Sequence, residues 1–222
     1  MRKISKEVLN SALTYPMYRE LIEGLLSQNK TTGADHSESM LDYTRINGVR
    51  MNRLDRTTKL TETTITLLKE IQQPMIWLVI TEGWCGDAAQ ILPVMHHIAE
   101  ANPNIELKLI LRDEHPEIMD AFLTKGARSI PKLIILDAHS REVLGSWGPR
   151  PAEVQKMVMD AKKKMQKISA QEEITSLNNQ VKIDTQKWYI SDRTQRIQSE
   201  ILEAVMAVLA PALRNNTIQS LP

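Results

Sequence analysis

Met75-Ile76-Trp77-Leu78-Val79-Ile80-Thr81 is an unbroken apolar run, and Glu82-Gly83-Trp84-Cys85-Gly86-Asp87-Ala88 follows it directly. A continuous run of this length, rich in β-branched and aromatic residues, is the signature of a strand buried on both faces. Beyond it, Ala88, Ile91, Leu92, Met95, Ile98 and Ala99 recur with helical period, which predicts a helix from 86 to about 101 that Pro93 should kink. Cys85 therefore falls where a strand hands over to the start of a helix. The free N–H groups of a first turn and the helix dipole favour an anion, hence thiolate over thiol. Thiolate is the form that attacks disulfides. With Trp84, Gly86 and Asp87 as neighbours, the setting reads as turn-like and exposed, and a chemically relevant cysteine is favoured over a structural one.

Working outward, Asn102-Pro103-Asn104 is a turn and 105–111 a second strand. A short helix is expected over 116–125, closed by Gly126. The strands 132–137 and 143–147 are separated only by a short loop, so they should pair antiparallel. A last core helix is predicted over 151–168, with Val154, Met157, Val158, Ala161 and Met165 inward and Lys162-Lys163-Lys164 solvated near its C-terminus. The order from residue 75 is β-α-β-α-β-β-α: a parallel pair joined by a helical crossover, then a hairpin and a covering helix. Upstream, 1–27 reads as helical with Pro16 opening a second helix, 28–37 as a loop, and 38–54 and 57–71 as helices. Downstream, 171–185 reads as polar. Trp188 and Tyr189 then lead into an amphipathic helix through Ile197, Ile201, Leu202, Val205 and Leu209, expected to dock on the rest of the chain. The organisation read from this is an N-terminal helical extension (1–72), an α/β domain (73–168), and a C-terminal polar linker and helix (169–222).

Composition narrows the function classes. The formal net charge is +1 over 222 residues, which predicts no attraction to nucleic acid or to an anionic membrane. No apolar run approaches the roughly 20 residues of a membrane span. Met1-Arg2-Lys3-Ile4-Ser5-Lys6-Glu7 is charged and no signal-peptide core follows it, so a cytoplasmic protein is expected. Cys85 is the single cysteine, so no disulfide can form within the chain. The five histidines lack ligand spacing; His96 and His97, being adjacent, would project about 100° apart on a helix. No metal is expected.

Trp84-Cys85-Gly86-Asp87-Ala88 resembles the Trp-Cys-Gly-Pro-Cys motif of thioredoxins, after a strand and opening a helix. Pro93, eight residues past Cys85, matches the proline that kinks the thioredoxin active-site helix. Ile130-Pro131 resembles the Ile-Pro whose cis peptide abuts that active site, and an X–Pro bond takes the cis form at small cost. Asp113-Glu114-His115-Pro116 resembles the Asp-x-x-Pro that ends the second core strand, and Gly148 stands at the glycine beside the substrate groove. The likeness covers about 70–167. The whole chain is similar to a bacterial thioredoxin-like subfamily with helical extensions and a Trp-Cys-Gly-Asp motif. The resemblance implies a thioredoxin-like α/β fold, a central mixed sheet flanked by helices, carrying both extensions. It implies a site made of Cys85 as the reacting group with Trp84, Gly86, Asp87, Ile130, Pro131, Trp147, Gly148 and Arg150 around it.

Two departures bear on the chemistry. Ala88 stands at the place of the resolving cysteine, so a mixed disulfide on Cys85 would wait for an external thiol such as glutathione. Val79 stands at the place of a buried aspartate that assists the second thiol, and without that thiol the carboxylate has no task. Asp87, replacing the motif proline, is expected to cap the helix, and its charge should oppose a thiolate. Arg150 is either the cation that meets an anionic ligand or a solvent-exposed turn residue between Pro149 and Pro151; Arg128 is a weaker candidate of the same kind. The leading expectation is monothiol thiol–disulfide exchange, with a protein or glutathione as thiol partner and no bound cofactor. The alternative is a non-catalytic thioredoxin-fold module that binds an extended peptide in the groove beside the cis-proline. Whether the chain is an enzyme stays open between them, and the sequence carries no reading of oligomeric state. Peroxide reduction would need a cationic or histidine partner that the motif does not supply.

Overall fold

The central strand forms where the apolar run predicts it, β1 (Met75–Thr81), and every one of its residues is buried. The computed structural model describes residues 2–219; residue 1 and 220–222, the outer ends of the expected extensions, lie outside the described residues. Ahead of β1 come α1 (Lys6–Ser11), α2 (Tyr15–Ser27), α3 (Glu38–Thr57) and α4 (Glu62–Glu70). After it come α5 (Ala88–Glu100), β2 (Ile105–Leu111), α6 (Pro116–Ala121), β3 (Lys132–Asp137), β4 (Val143–Trp147), α7 (Ala152–Met165), α8 (Gln171–Asp192) and α9 (Gln195–Gln219). Local chemistry sets several boundaries. Thr14 accepts the Met17 N–H at the start of α2, with Pro16 in the first turn, and Thr61 accepts the Thr64 N–H at the start of α4.

The four strands make one mixed sheet in the order β2-β1-β3-β4. β1 and β2 run parallel from Met75↔Ile105 to Thr81↔Leu111, joined by α5. β3 lies antiparallel on the other side of β1, from Ile80↔Lys132 to Met75↔Asp137, and β4 completes the hairpin with Leu133↔Trp147. This is the thioredoxin-like architecture expected, with helical extensions at both ends. β1 and most of β3 are buried along their length, so both faces of the sheet are covered.

Several boundaries differ from expectation: α3 runs on to Thr57 rather than Leu54, and α4 opens at Glu62, capped by Thr61, rather than at Thr57. α6 stops at Ala121 rather than near 125, because Phe122 leaves helical geometry and Lys125 and Gly126 both take positive φ in a turn closed by Thr124 and Ala127. The stretch 171–185, expected as a polar linker, is most of the 22-residue helix α8. Its Ile174, Leu177 and Val181 are half-buried, and Thr185 and Tyr189 are buried; α8 packs beside α7. Glu172 and Glu173 in its first turn suit the helix dipole.

The core is continuous across the expected segment boundaries. Trp77, Leu78 and Ile80 of β1 and Ile91, Leu92 and Met95 of α5 are fully buried in one cluster with Tyr18, Met51, Ile201 and Val205 from the extensions. The N-terminal segment also covers the sheet's edges, the places where unpaired strand groups would invite foreign pairing. Leu13 exchanges hydrogen bonds with Leu109 on β2, and Arg2 and Ile4 bond the β4 side through Val143 and Arg141.

Candidate functional site

β1 delivers residues 82–87 at the carboxyl end of the central strand, where open α/β sheets place their ligands. The turn is held by the N-terminal extension. The Gly83 N–H donates to Thr32 Oγ1 (2.8 Å), and the Asn47 amide of α3 donates to the Gly83 carbonyl (3.0 Å). Any Cβ at Gly83 would press on Ile22 at 3.3 Å. Glu82, fully buried, accepts the Asp113 N–H at 3.0 Å, and burial holds its carboxyl above the usual carboxylate range. The Cys85 N–H closes the turn on the Glu82 carbonyl.

Cys85 is buried, 8 % exposed. Its thiol donates to the Ile130 carbonyl at 3.4 Å, and Sγ accepts the Ala88 N–H at 3.5 Å. Burial first, and then the charge of Asp87, push the thiol pKa up to about 12; the amides of Ala88 and Asp87 and the guanidinium of Arg150 oppose the shift without cancelling it. The expected exposed, helix-start thiolate is thereby corrected. The helix end is present, but desolvation outweighs it.

Asp87 does not cap α5. Its backbone is already helical (φ −73°, ψ −40°) and its side chain makes no bond to the first turn. The carboxylate instead sits between Arg150, whose Nε donates to Oδ2 at 2.7 Å, and Tyr189, whose hydroxyl donates to Oδ1 at 2.9 Å. Burial raises the Asp87 carboxyl above its ordinary range, while Arg150 and Tyr189 pull it back; burial and Asp87 together raise the Tyr189 hydroxyl. Arg150 is half-buried rather than solvent-exposed, its Nε held by Asp87 and its Nη1 donating to Gln155 at 3.1 Å. Arg128 is exposed and engaged bidentately by Asp120 at 2.6 Å.

A cavity of about 400 Å³ opens beside the motif. Trp84, Cys85, Gly86, Asp87 and Arg150 form one side of it. The others are Tyr43 and Arg50 of α3, Val158 and Lys162 of α7, and Asn178, Val181, Lys182, Thr185 and Gln186 of α8. The remaining expected site residues gather elsewhere. The Ile130–Pro131 peptide is cis, and so is Gly148–Pro149. Gly148 has φ +107°, and a Cβ there would stand 2.6 Å from the Pro131 carbonyl oxygen, so only glycine allows these two loops to touch. Trp147 pairs with Leu133 on the adjoining strand. Ile130 reaches Cys85 through its carbonyl, but Ile130, Pro131, Trp147 and Gly148 do not line the cavity.

Sequence reasoning left out Tyr43, Arg50, Lys182 and Tyr189, and read Lys162 only as solvated. The available signal was Asn47, a polar residue on the inward face of α3 one turn before Arg50. Among the described residues no group of three or more His, Cys, Asp or Glu is placed to hold a metal ion, and no helix is long and apolar enough to cross a membrane.

A family model described as Thioredoxin matches residues 33–165, more than half of the chain, and takes in α3 and α4 as well as the sheet. Two solved structures share the fold at low identity. One is an HIV epitope-scaffold (TM-score 0.55, 16% identity, 90% of this chain and 96% of that one). The other is a protein of unknown function from Pseudomonas aeruginosa (TM-score 0.50, 15% identity, 88% of this chain and 98% of that one). No curated protein matches the chain.

Proposed function

This chain belongs to the thioredoxin family, and from that membership we propose that it acts as a binding module, with the cavity at residues 84–87 as its binding site and Cys85 as a lining group. The observation that carries the reading is the state of the thiol: buried, bonded to the Ile130 carbonyl, and held by burial and Asp87 at a pKa of about 12. Exchange needs thiolate, and a thiol pushed this far above its ordinary range by burial and a neighbouring carboxylate is held in the unreactive protonated form. Nothing in the chain could resolve a mixed disulfide, since Cys85 is its only cysteine. The cavity has the size of a small-ligand site and combines apolar walls, Trp84, Val158 and Val181, with charged groups that can orient a ligand. A cytoplasmic, bacterial setting belongs to the same proposal.

Incubation with oxidised glutathione at pH 7.4, followed by intact-mass measurement, tests it. Cys85 is expected to stay unmodified while a control thiol is labelled, and a rapid adduct on Cys85 overturns the reading. One observation favours the second reading, monothiol exchange with a protein or glutathione: Cys85 lines the cavity, and its Sγ receives the Ala88 N–H at the start of α5. In that chemistry the thiolate attacks a disulfide sulfur, a mixed disulfide forms, and the other sulfur leaves as thiolate.

A further inference from the structure

The walls of the cavity carry more positive charge than the protein as a whole, whose formal net charge is only +1. Four cations line it, Arg50, Arg150, Lys162 and Lys182, against the single carboxylate of Asp87. Arg150 is paired with that carboxylate at 2.7 Å, which leaves three positive charges without an acidic partner in the lining. Lys182 leans on Tyr43, donating to its hydroxyl at 2.7 Å with the ammonium 5.1 Å from the ring centroid. Lys162 faces the same space from α7.

Arg50 is the most enclosed of the three. It is half-buried, and burial, with Arg53 adding to it, disfavours its charge, while the Asp87 carboxylate across the lining favours it without forming an ion pair. Its Nη1 donates to Asn47 Oδ1 at 2.9 Å, and Asn47 is itself fully buried against the Gly83 carbonyl. That bond fixes the guanidinium plane. The Nε–Nη2 edge makes no hydrogen bond, and Arg50 forms no ion pair, among the described residues. A fixed guanidinium with one edge free matches the two oxygens of a carboxylate, which it can bind bidentately. Gly86 lies against the Nη1 side, where a Cβ would stand in ordinary contact at 3.5 Å. Trp84, Val158, Val181 and the Tyr43 ring give the lining its apolar and aromatic surface, and Asn178, Thr185 and Gln186 of α8 add neutral polar groups.

We propose that this cavity binds a small organic acid with an apolar body, its carboxylate on Arg50, its body between Trp84 and Val181, and Lys162 and Lys182 at the rim. The proposal rests on the binding-module reading and adds the chemical class of the ligand.

Calorimetric titration of the full chain with naphthalene-2-carboxylate and with the neutral naphthalene-2-carboxamide tests it. The carboxylate should bind at least tenfold tighter than the carboxamide. Arg50→Gln should weaken the carboxylate about tenfold or more and leave the carboxamide unchanged. Lys163→Gln, a neighbouring cation outside the lining, should change neither. A thermal melt of each variant establishes that it is folded. Equal affinity for the two compounds, undiminished carboxylate binding in folded Arg50→Gln, or no binding of the carboxylate at millimolar concentration each overturn the assignment. A glutathione adduct on Cys85 would instead overturn the underlying reading, and it leaves the Arg50 comparison intact.

Discussion

Asp87 sets the chemistry of Cys85 from two residues away. Its carboxylate opposes ionisation of the thiol, while the Arg150 it holds favours it. Replacing Asp87 with Asn removes the opposing charge and leaves the guanidinium beside Sγ less compensated, so both changes move the thiol pKa downward from about 12. Burial, the larger cause, persists, so the pKa should fall by about one unit rather than return to the ordinary thiol value. Alkylation by iodoacetamide at pH 8 should then run about tenfold faster in Asp87→Asn, because the rate follows the thiolate fraction below the pKa. The pH–rate profile is the measurement. A profile unmoved, or shifted to higher pH, would mean that Asp87 does not govern the thiol.

Helix α8 turns an open face of the thioredoxin fold into a cavity, and it is the element the sequence hid. All four strands stand at their expected residues, because continuous apolar runs and a short hairpin loop leave few alternatives. In α8 the inward stripe is half-buried Ile174, Leu177, Val181 and Trp188 with buried Thr185 and Tyr189, interrupted by polar residues, while Ile183 and Ile190 are exposed. Apolar side chains on opposite faces cancel the periodic signal that marks an amphipathic helix. The motif side of the cavity was legible from the Trp84-Cys85-Gly86-Asp87 resemblance. The α3 and α8 sides were not, since a helical pattern gives a buried face but not the element it meets. Among the bonds that anchor α8 over the site, the Tyr189 hydroxyl on Asp87 at 2.9 Å reaches the motif itself. Tyr189→Phe leaves one oxygen of a buried carboxylate without that donor and should cost about 1–3 kcal/mol. Urea denaturation reads the loss, and hydrogen exchange should quicken in α8 before it does in β1. Unchanged stability and unchanged α8 protection would show that the contact contributes nothing.

At the scale of the molecule, the extensions complete the core of the sheet domain. α9 lies against β4 so closely that a Cβ on Gly145 would meet Val208 Cγ1 at 2.5 Å. Gln198 of α9 bonds both the Lys59 carbonyl and the Thr61 N–H, tying the C-terminal helix to the link between α3 and α4. Asn102, after α5, bonds the carbonyls of Leu68 and Ile71 at the end of α4. With these ties and a shared core, loss of packing in α9 should propagate to the central strand. Ile201 is fully buried in that core, and Ile201→Ala should cost about 2–5 kcal/mol, the range for removing a large aliphatic side chain from a packed interior. With Trp188 of α8 replaced by Phe in both the parent and the Ile201→Ala protein, the fluorescence of Trp77, Trp84 and Trp147 reports the sheet and its motif turn, while far-ultraviolet dichroism follows all the helices. If the chain unfolds as one unit, both probes shift to lower urea together, and the dependence on denaturant keeps its slope. If α9 is an independent appendage, dichroism shows an early partial transition and the sheet's fluorescence transition stays at the parent midpoint. The coincidence of the two curves in Ile201→Ala thus decides whether the residues walling the cavity from outside the sheet are part of one cooperative fold, as the continuity of the buried cluster requires.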